Sequence, residues 1–223
     1  MALARLLTSN DLGPFLPPDR PAPRFDATRV LAAGHSQGSQ SVAVVGAVDP
    51  LIRGVILSGC GGDARLGILE RRDLPVVPAF SALLGVAPGE LDALHPLMAL
   101  VQTLAEPIDP ASYARLYWDP LPGHRPQRVL HYEGVTDTYT PPVTAEILAL
   151  ALHATPVTRL VRPVPGLGDP AASLDDVLRR ADPARALVQL ASTRGENGHF
   201  VLYREPGAAE LAMAFMRAIV EKP

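Results

Sequence analysis

Residues 29–47, RVLAAGHSQGSQSVAVVGA, constrain the fold more than any other part of the chain. The short apolar run at 29–33 suits a buried strand, Gly34 to Gly38 make a sharp turn, and the small apolar residues at 37–47 suit a tightly packed helix. A strand that turns at once into a helix is the building unit of a parallel α/β sheet. A serine at such a turn, here Ser36, is held in a strained backbone conformation. The following helix aims free N–H groups and positive partial charge at it. Gly34 and Gly38, two residues before and after, are expected to prevent a clash between strand and helix. The Gln37 N–H is the expected oxyanion donor.

The rest of the chain fits that beginning. RGVILS at 53–58 reads as a second buried strand, followed by the turn CGGD; RVLHY at 128–132 and ALVQLA at 186–191 read as a third and fourth. Residues 157–164 read as extended, and 166–183 as a polar excursion. Residues 142–153 and 207–221 have helical periodicity, the last clearly amphipathic. Residues 64–120 show no strand pattern; 66–72, 78–85, 90–105 and 110–118 read as helices that make an apolar cap insertion. Two regions follow: an N-terminal connector at 1–28, Pro-rich from 11, and a single α/β domain at 29–223. Strands alternating with helices predict a mainly parallel sheet covered on both faces. Functional groups in such sheets lie beyond the C-terminal ends of the strands.

A serine hydroxyl is a poor nucleophile unless a base takes its proton and a carboxylate orients that base. Of six histidines, only His199, in TRGENGHF, follows the last core strand in a polar, glycine-containing loop before the final helix. His35 lies inside the turn and is expected to point away from the serine. His131 lies in a strand and is expected to be packed. Asp137, in HYEGVTDTYTPP, sits in a loop after a strand and is the preferred acid. Asp63, in SGCGGDARLG, follows the strand next to the serine's and is the rival. Glu133 is nearer its strand and ranks below both. Tyr113, Tyr117 and Trp118 either line an acyl pocket or belong to the core.

Composition narrows the classes. The 223 residues are 48% hydrophobic and 19% charged, which is ordinary for a soluble globular protein. The formal charge of −3, with 20 scattered Lys and Arg, argues against a nucleic-acid surface. A single cysteine, Cys60, leaves no internal disulfide. No apolar run is long enough to span a bilayer. The N-terminus carries no secretory cleavage pattern, so as it stands the chain reads as non-exported; an upstream region could carry an export signal. No His, Cys or carboxylate cluster has metal-ligand spacing, and GCGGD and PGLGD do not open a helix in a βαβ unit, so neither metal nor cofactor is expected.

GHSQG, an acid in a loop after a later strand, and a late histidine before a C-terminal helix, in that chain order, resemble the α/β-hydrolase family. The resemblance runs from about residue 28 to the end, and the cap segment PLMALVQTLAEPIDPASYA looks lipase- or esterase-like. It implies a partial α/β-hydrolase fold and a serine hydrolase cleaving carboxylic esters through an acyl-enzyme on Ser36, with His199 as base, Asp137 as acid and the Gln37 N–H in the oxyanion hole. Acyl transfer to another acceptor would use the same residues. The family places further strands and an HG-type oxyanion loop before its nucleophile strand, and none is found before Ser36. The chain is therefore expected to be the C-terminal half to two-thirds of a hydrolase, first as a fragment. The alternatives are a degenerate, non-catalytic subunit or remnant, or a part completed by another chain. The strand at 29–33 would then be a sheet edge, open to pairing with a second copy in a homodimer.

Overall fold

The computed structural model describes residues 2–9, 17, 19 and 23–221. Much of the expected connector at 11–28 lies outside the described residues. In chain order the elements are α1 (Ala2–Ser9), β1 (Val30–His35), α2 (Gln37–Val48), β2 (Ile52–Ser58), α3 (Ala64–Leu69), α4 (Val76–Leu84), α5 (Pro96–Ala105), α6 (Pro110–Tyr113), β3 (Arg128–Gly134), α7 (Pro142–Ala151), β4 (Thr155–Pro156), α8 (Leu174–Arg180), β5 (Arg185–Leu190), α9 (Val201–Arg204) and α10 (Ala208–Glu221). The five strands form one all-parallel sheet in the order β1-β2-β3-β5-β4.

Alternation along the strands divides the core in two. Val55 and Leu57 of β2, Val129 of β3 and Leu187 of β5 pack with α2 and α7 on one face. Ile56, Leu130, Tyr132, Ala186 and Val188 pack with α8 and α10 on the other. This double burial is why β2, β3 and β5 are near-continuous apolar runs, as parallel strands covered on both faces must be. The buried Tyr117 and Tyr132 hydroxyls donate to the carbonyls of Ala43 and Ala208, at 2.8 and 2.7 Å. The long segment between β2 and β3 is helical, α3 to α6 joined by short 3-10 turns. Tyr117 is fully buried, and the Trp118 indole donates to Ala151 O at 3.3 Å while stacking on His153. Tyr117 belongs to the core on the first face, and Trp118 packs on α7 and His153.

Three expectations need correction. Residues 157–164, expected to be extended, add no strand beyond β4: Val157 N donates to Leu187 O at 2.8 Å and bridges to Ala171, and the chain then turns away at Thr158, φ +63°. The stretch 166–183 is not all irregular: Ser173 accepts from Asp176 N, and the acidic first turn and basic last turn suit α8 to the helix dipole. Residues 2–9 within the expected connector form α1.

β1 pairs only with β2 among the described residues, so it lies at the sheet edge. No helix among the described residues is long and apolar enough to cross a membrane. Phe215 of α10 is completely buried against the second face. Phe215→Ala should cost about 3–5 kcal/mol in urea unfolding, because little around it can collapse into the void.

Candidate active site

The parallel register aligns the strand ends: His35 lies opposite Ser58, Ser58 opposite Tyr132, and Gly134 opposite Leu190. Ser36, Asp137 and His199 all follow these ends, on one edge of the sheet. Ser36 has φ 56° and ψ −132°, a conformation that costs an L-residue about 1–3 kcal/mol. Its N–H donates to Ser58 O at 2.8 Å, and its carbonyl accepts from Ser39 N at 2.9 Å, so strand β2 and helix α2 hold the turn from both sides. A Cβ on Gly34 would stand 2.5 Å from Gly38 O and 2.6 Å from Ser39 Cα; only glycine lets the strand pass under the helix. Gly38 is a correction: a Cβ there meets nothing within 4 Å. The Ser36 hydroxyl makes no capping bond and, among the described residues, no hydrogen bond to His199. Gln37 and Gly38 begin α2, so their N–H groups have no helical acceptor.

Asp137 and His199 meet through their backbones. A Cβ on Gly134 would lie 2.0 Å from Gly198 O, and one on Gly198 would lie 2.7 Å from Asp137 N. The loops after β3 and β5 can cross only because both residues are glycine. Asn197 laces the crossing: its Oδ1 accepts from His199 N at 2.9 Å and Thr138 N at 3.3 Å, and its Nδ2 donates to Thr138 Oγ1 at 2.5 Å. The Thr140 hydroxyl ties the acid's loop to Gly59 O at 3.0 Å. His199 Nδ1 then lies 2.8 Å from Asp137 Oδ2, both side chains 3% exposed. Asp137 Oδ1 accepts from Tyr139 N and Thr140 N, each at 2.8 Å. The buried carboxylate is therefore satisfied on both oxygens, and Nδ1–H of a neutral His199 is its natural donor. That tautomer leaves Nε2 as a proton acceptor.

No protein-family model matches the chain, and no curated protein matches it in sequence. Its structure is similar to acetyl xylan esterase 1 from Thermoanaerobacterium sp. JW/SL YS485, with TM-score 0.51 and 17% identity over 97% of this chain and 50% of that one. It is also similar to a Mycobacterium tuberculosis puromycin-hydrolyzing peptidase, with TM-score 0.51 and 15% identity over 99% of this chain and 24% of that one. The fold is a partial α/β-hydrolase fold. The chain spans half the length of the esterase and about a quarter of the peptidase.

Within this hydrolase fold, Asp63 is engaged elsewhere. Its carboxylate takes Arg65 at 2.7 and 3.1 Å and caps α3 through Leu66 N at 3.2 Å. Burial opposes its ionisation, but the Arg65 and Leu66 hydrogen bonds prevail and lower its pKa. Cys60 is fully buried, and burial pushes its thiol up to about 12, so it packs as a small apolar group. His131 is buried, with Nε2 3.2 Å from Cys60 O, and burial pushes it down to about 4.

His35 packs beside His199. Its ring does not leave the site but lies 4.6 Å from the His199 ring. Burial, then the neighbouring His199, lower its pKa, with Asp137 acting the other way. Tyr139 also packs on His199, at 4.9 Å and 26°. Neither contact was legible from spacing, because both are made across loops. Asn197 carried a weak signal, a capping residue two before the histidine.

Glu133 is 1% exposed, accepts from Gln189 Nε2 at 3.1 Å, and leaves Oε2 without a partner among the described residues. Burial raises its carboxyl to about 7 from an ordinary 4.5, against the Gln189 hydrogen bond. The folded chain thus binds a proton that the unfolded chain has released. Its stabilising contribution is complete below pH 4.5 and is lost as pH rises through about 7. Glu133→Gln should flatten that part of the stability-versus-pH curve and raise stability near neutrality; an unchanged slope in urea titrations would contradict this. Gly134→Ala should cost about 1–3 kcal/mol in the same assay, since its Cβ collides with backbone.

Proposed function

We propose that this chain carries the active site of a serine hydrolase acting on carboxylic esters. One observation carries the reading: a buried imidazole whose Nδ1 lies 2.8 Å from a buried carboxylate, on the sheet edge where Ser36 sits in a strained turn at a helix N-terminus. In this reading Ser36 Oγ attacks the ester carbonyl and passes its proton to His199 Nε2. Asp137 holds the tautomer and stabilises the imidazolium. The Gln37 N–H donates to the oxyanion. The tetrahedral intermediate collapses to an acyl-enzyme as His199 protonates the departing alkoxide. Water, activated by His199, then releases the acid. The Ser36–His199 contact is one that tightens with substrate in such enzymes.

A cavity of about 240 Å³ supports a short acyl group. Its lining includes Gln40, one turn along α2 from Ser36, and Tyr139, which stacks on His199; Ile68, Ala105 and Ile108 supply apolar wall from the helical insertion. The insertion would thus act as the cap. A non-catalytic subunit or remnant is the second reading, favoured by the absence, among the described residues, of a hydrogen bond between the Ser36 hydroxyl and His199.

Hydrolysis of p-nitrophenyl acetate, butyrate and palmitate separates the two. The hydrolase reading expects turnover of the acetate and butyrate esters above the palmitate, abolished by Ser36→Ala and lowered about 10⁴-fold by Asp137→Asn. Asp63→Asn should change kcat little. Rates equal to those of Ser36→Ala would favour the second reading.

A further inference from the structure

His199 is held by more than its hydrogen bond. An imidazole fixed only at Nδ1 can still pivot about that bond, and Nε2 then swings away from the nucleophile. Two rings restrict the pivot. Tyr139 stacks at 4.9 Å and 26°, and His35 packs at 4.6 Å and 53°. Gly59 closes the ring's Cε1 edge, where a Cβ would stand 2.7 Å away.

Each ring is itself anchored. His35 Nδ1 lies 3.1 Å from the hydroxyl of the fully buried Ser58, and its ring meets Tyr203 edge-on at 5.0 Å and Phe200 at 5.5 Å. The same Ser58 accepts the Ser36 N–H on its carbonyl. One residue of β2 therefore holds both the serine's backbone and the ring beside the base. Tyr139 N donates to Asp137 Oδ1, and the Arg71 guanidinium, paired with Asp73, lies 6.0 Å over the Tyr139 ring.

We propose that His35 and Tyr139 are positioning residues that clamp the His199 ring in the plane facing Ser36, with His35 tying the base to the serine's turn. The proposal rests on the reading of Ser36 and His199 given above. It assigns a role to the residue between Gly34 and Ser36 that the motif alone leaves open. Misplacing a reacting group by about 1 Å costs on the order of 100-fold in rate, so a ring that removes such freedom matters without touching substrate.

The test compares His35→Ala with His35→Phe, and Tyr139→Ala with Tyr139→Phe, in the full chain. Two readouts are taken: kcat and KM on p-nitrophenyl butyrate, and the imidazole ¹⁵N and Nδ1–H NMR signals of His199. His35→Ala should lower kcat about 100-fold with little change in KM, and His35→Phe should recover most of that loss. In the NMR spectra the wild type and the Phe variants should show His199 fixed as the Nδ1–H tautomer. The Ala variants should keep that tautomer, which Asp137 holds, but show ring signals broadened by exchange between orientations. The spectra need no turnover, so an inactive chain whose His199 signals behave this way would sink the hydrolase reading and leave the clamp standing. Ring signals as sharp in both Ala variants as in the wild type would overturn the clamp, as would a His35→Phe variant as impaired as His35→Ala. Tyr139 is 39% exposed, so its truncation keeps the test open if His35→Ala fails to fold.

Discussion

The buried hydrogen bond between Asp137 and His199 is the constraint around which this edge of the molecule is organised. A carboxylate removed from water is costly unless each oxygen is satisfied. Here two backbone N–H groups serve one oxygen and the imidazole serves the other. Breaking the pair would leave an uncompensated charge in the protein interior. The surrounding loops are built to prevent that. Gly134 and Gly198 allow backbone to touch backbone, Asn197 laces the crossing, and Thr140 ties it to Gly59, just past β2.

The serine's turn depends on the same strand ends by a different route. Ser36 occupies a backbone region that only surrounding structure can enforce, and β2 and α2 supply that enforcement through Ser58 and Ser39. The strain places the side chain at the start of α2, where the first helical N–H groups lack acceptors. A parallel sheet brings three distant stretches of sequence to one edge, and the loops supply the orientation. The scaffold is rigid where the geometry has to be accurate: β2, β3 and β5 are buried on both faces.

Much of this was legible in the sequence. The apolar runs at 29–33, 53–58, 128–132 and 186–191 became β1, β2, β3 and β5; for the last three, burial on both faces leaves an unbroken hydrophobic signature. β4 was missed because two residues carry no periodicity, and α8 was passed over because its polar face outweighs two buried residues, Leu174 and Val177. At the site, strand-to-loop position was enough to nominate Ser36, Asp137 and His199. It preferred Asp137 but left Asp63 as a rival, since both follow strands on the same edge. Only the path of the loops shows Asp63 turned to Arg65 and Asp137 turned to His199.

The central claim is that the imidazole, the carboxylate and the strained turn together make Ser36 a nucleophile. Intact-mass analysis after treatment with a fluorophosphonate, followed by peptide mapping, tests it most directly. The account predicts a single phosphonyl adduct on the peptide containing Ser36, absent in Ser36→Ala and much slower in His199→Ala. No adduct on the folded wild-type chain, or equal labelling of Ser36→Ala, would contradict it.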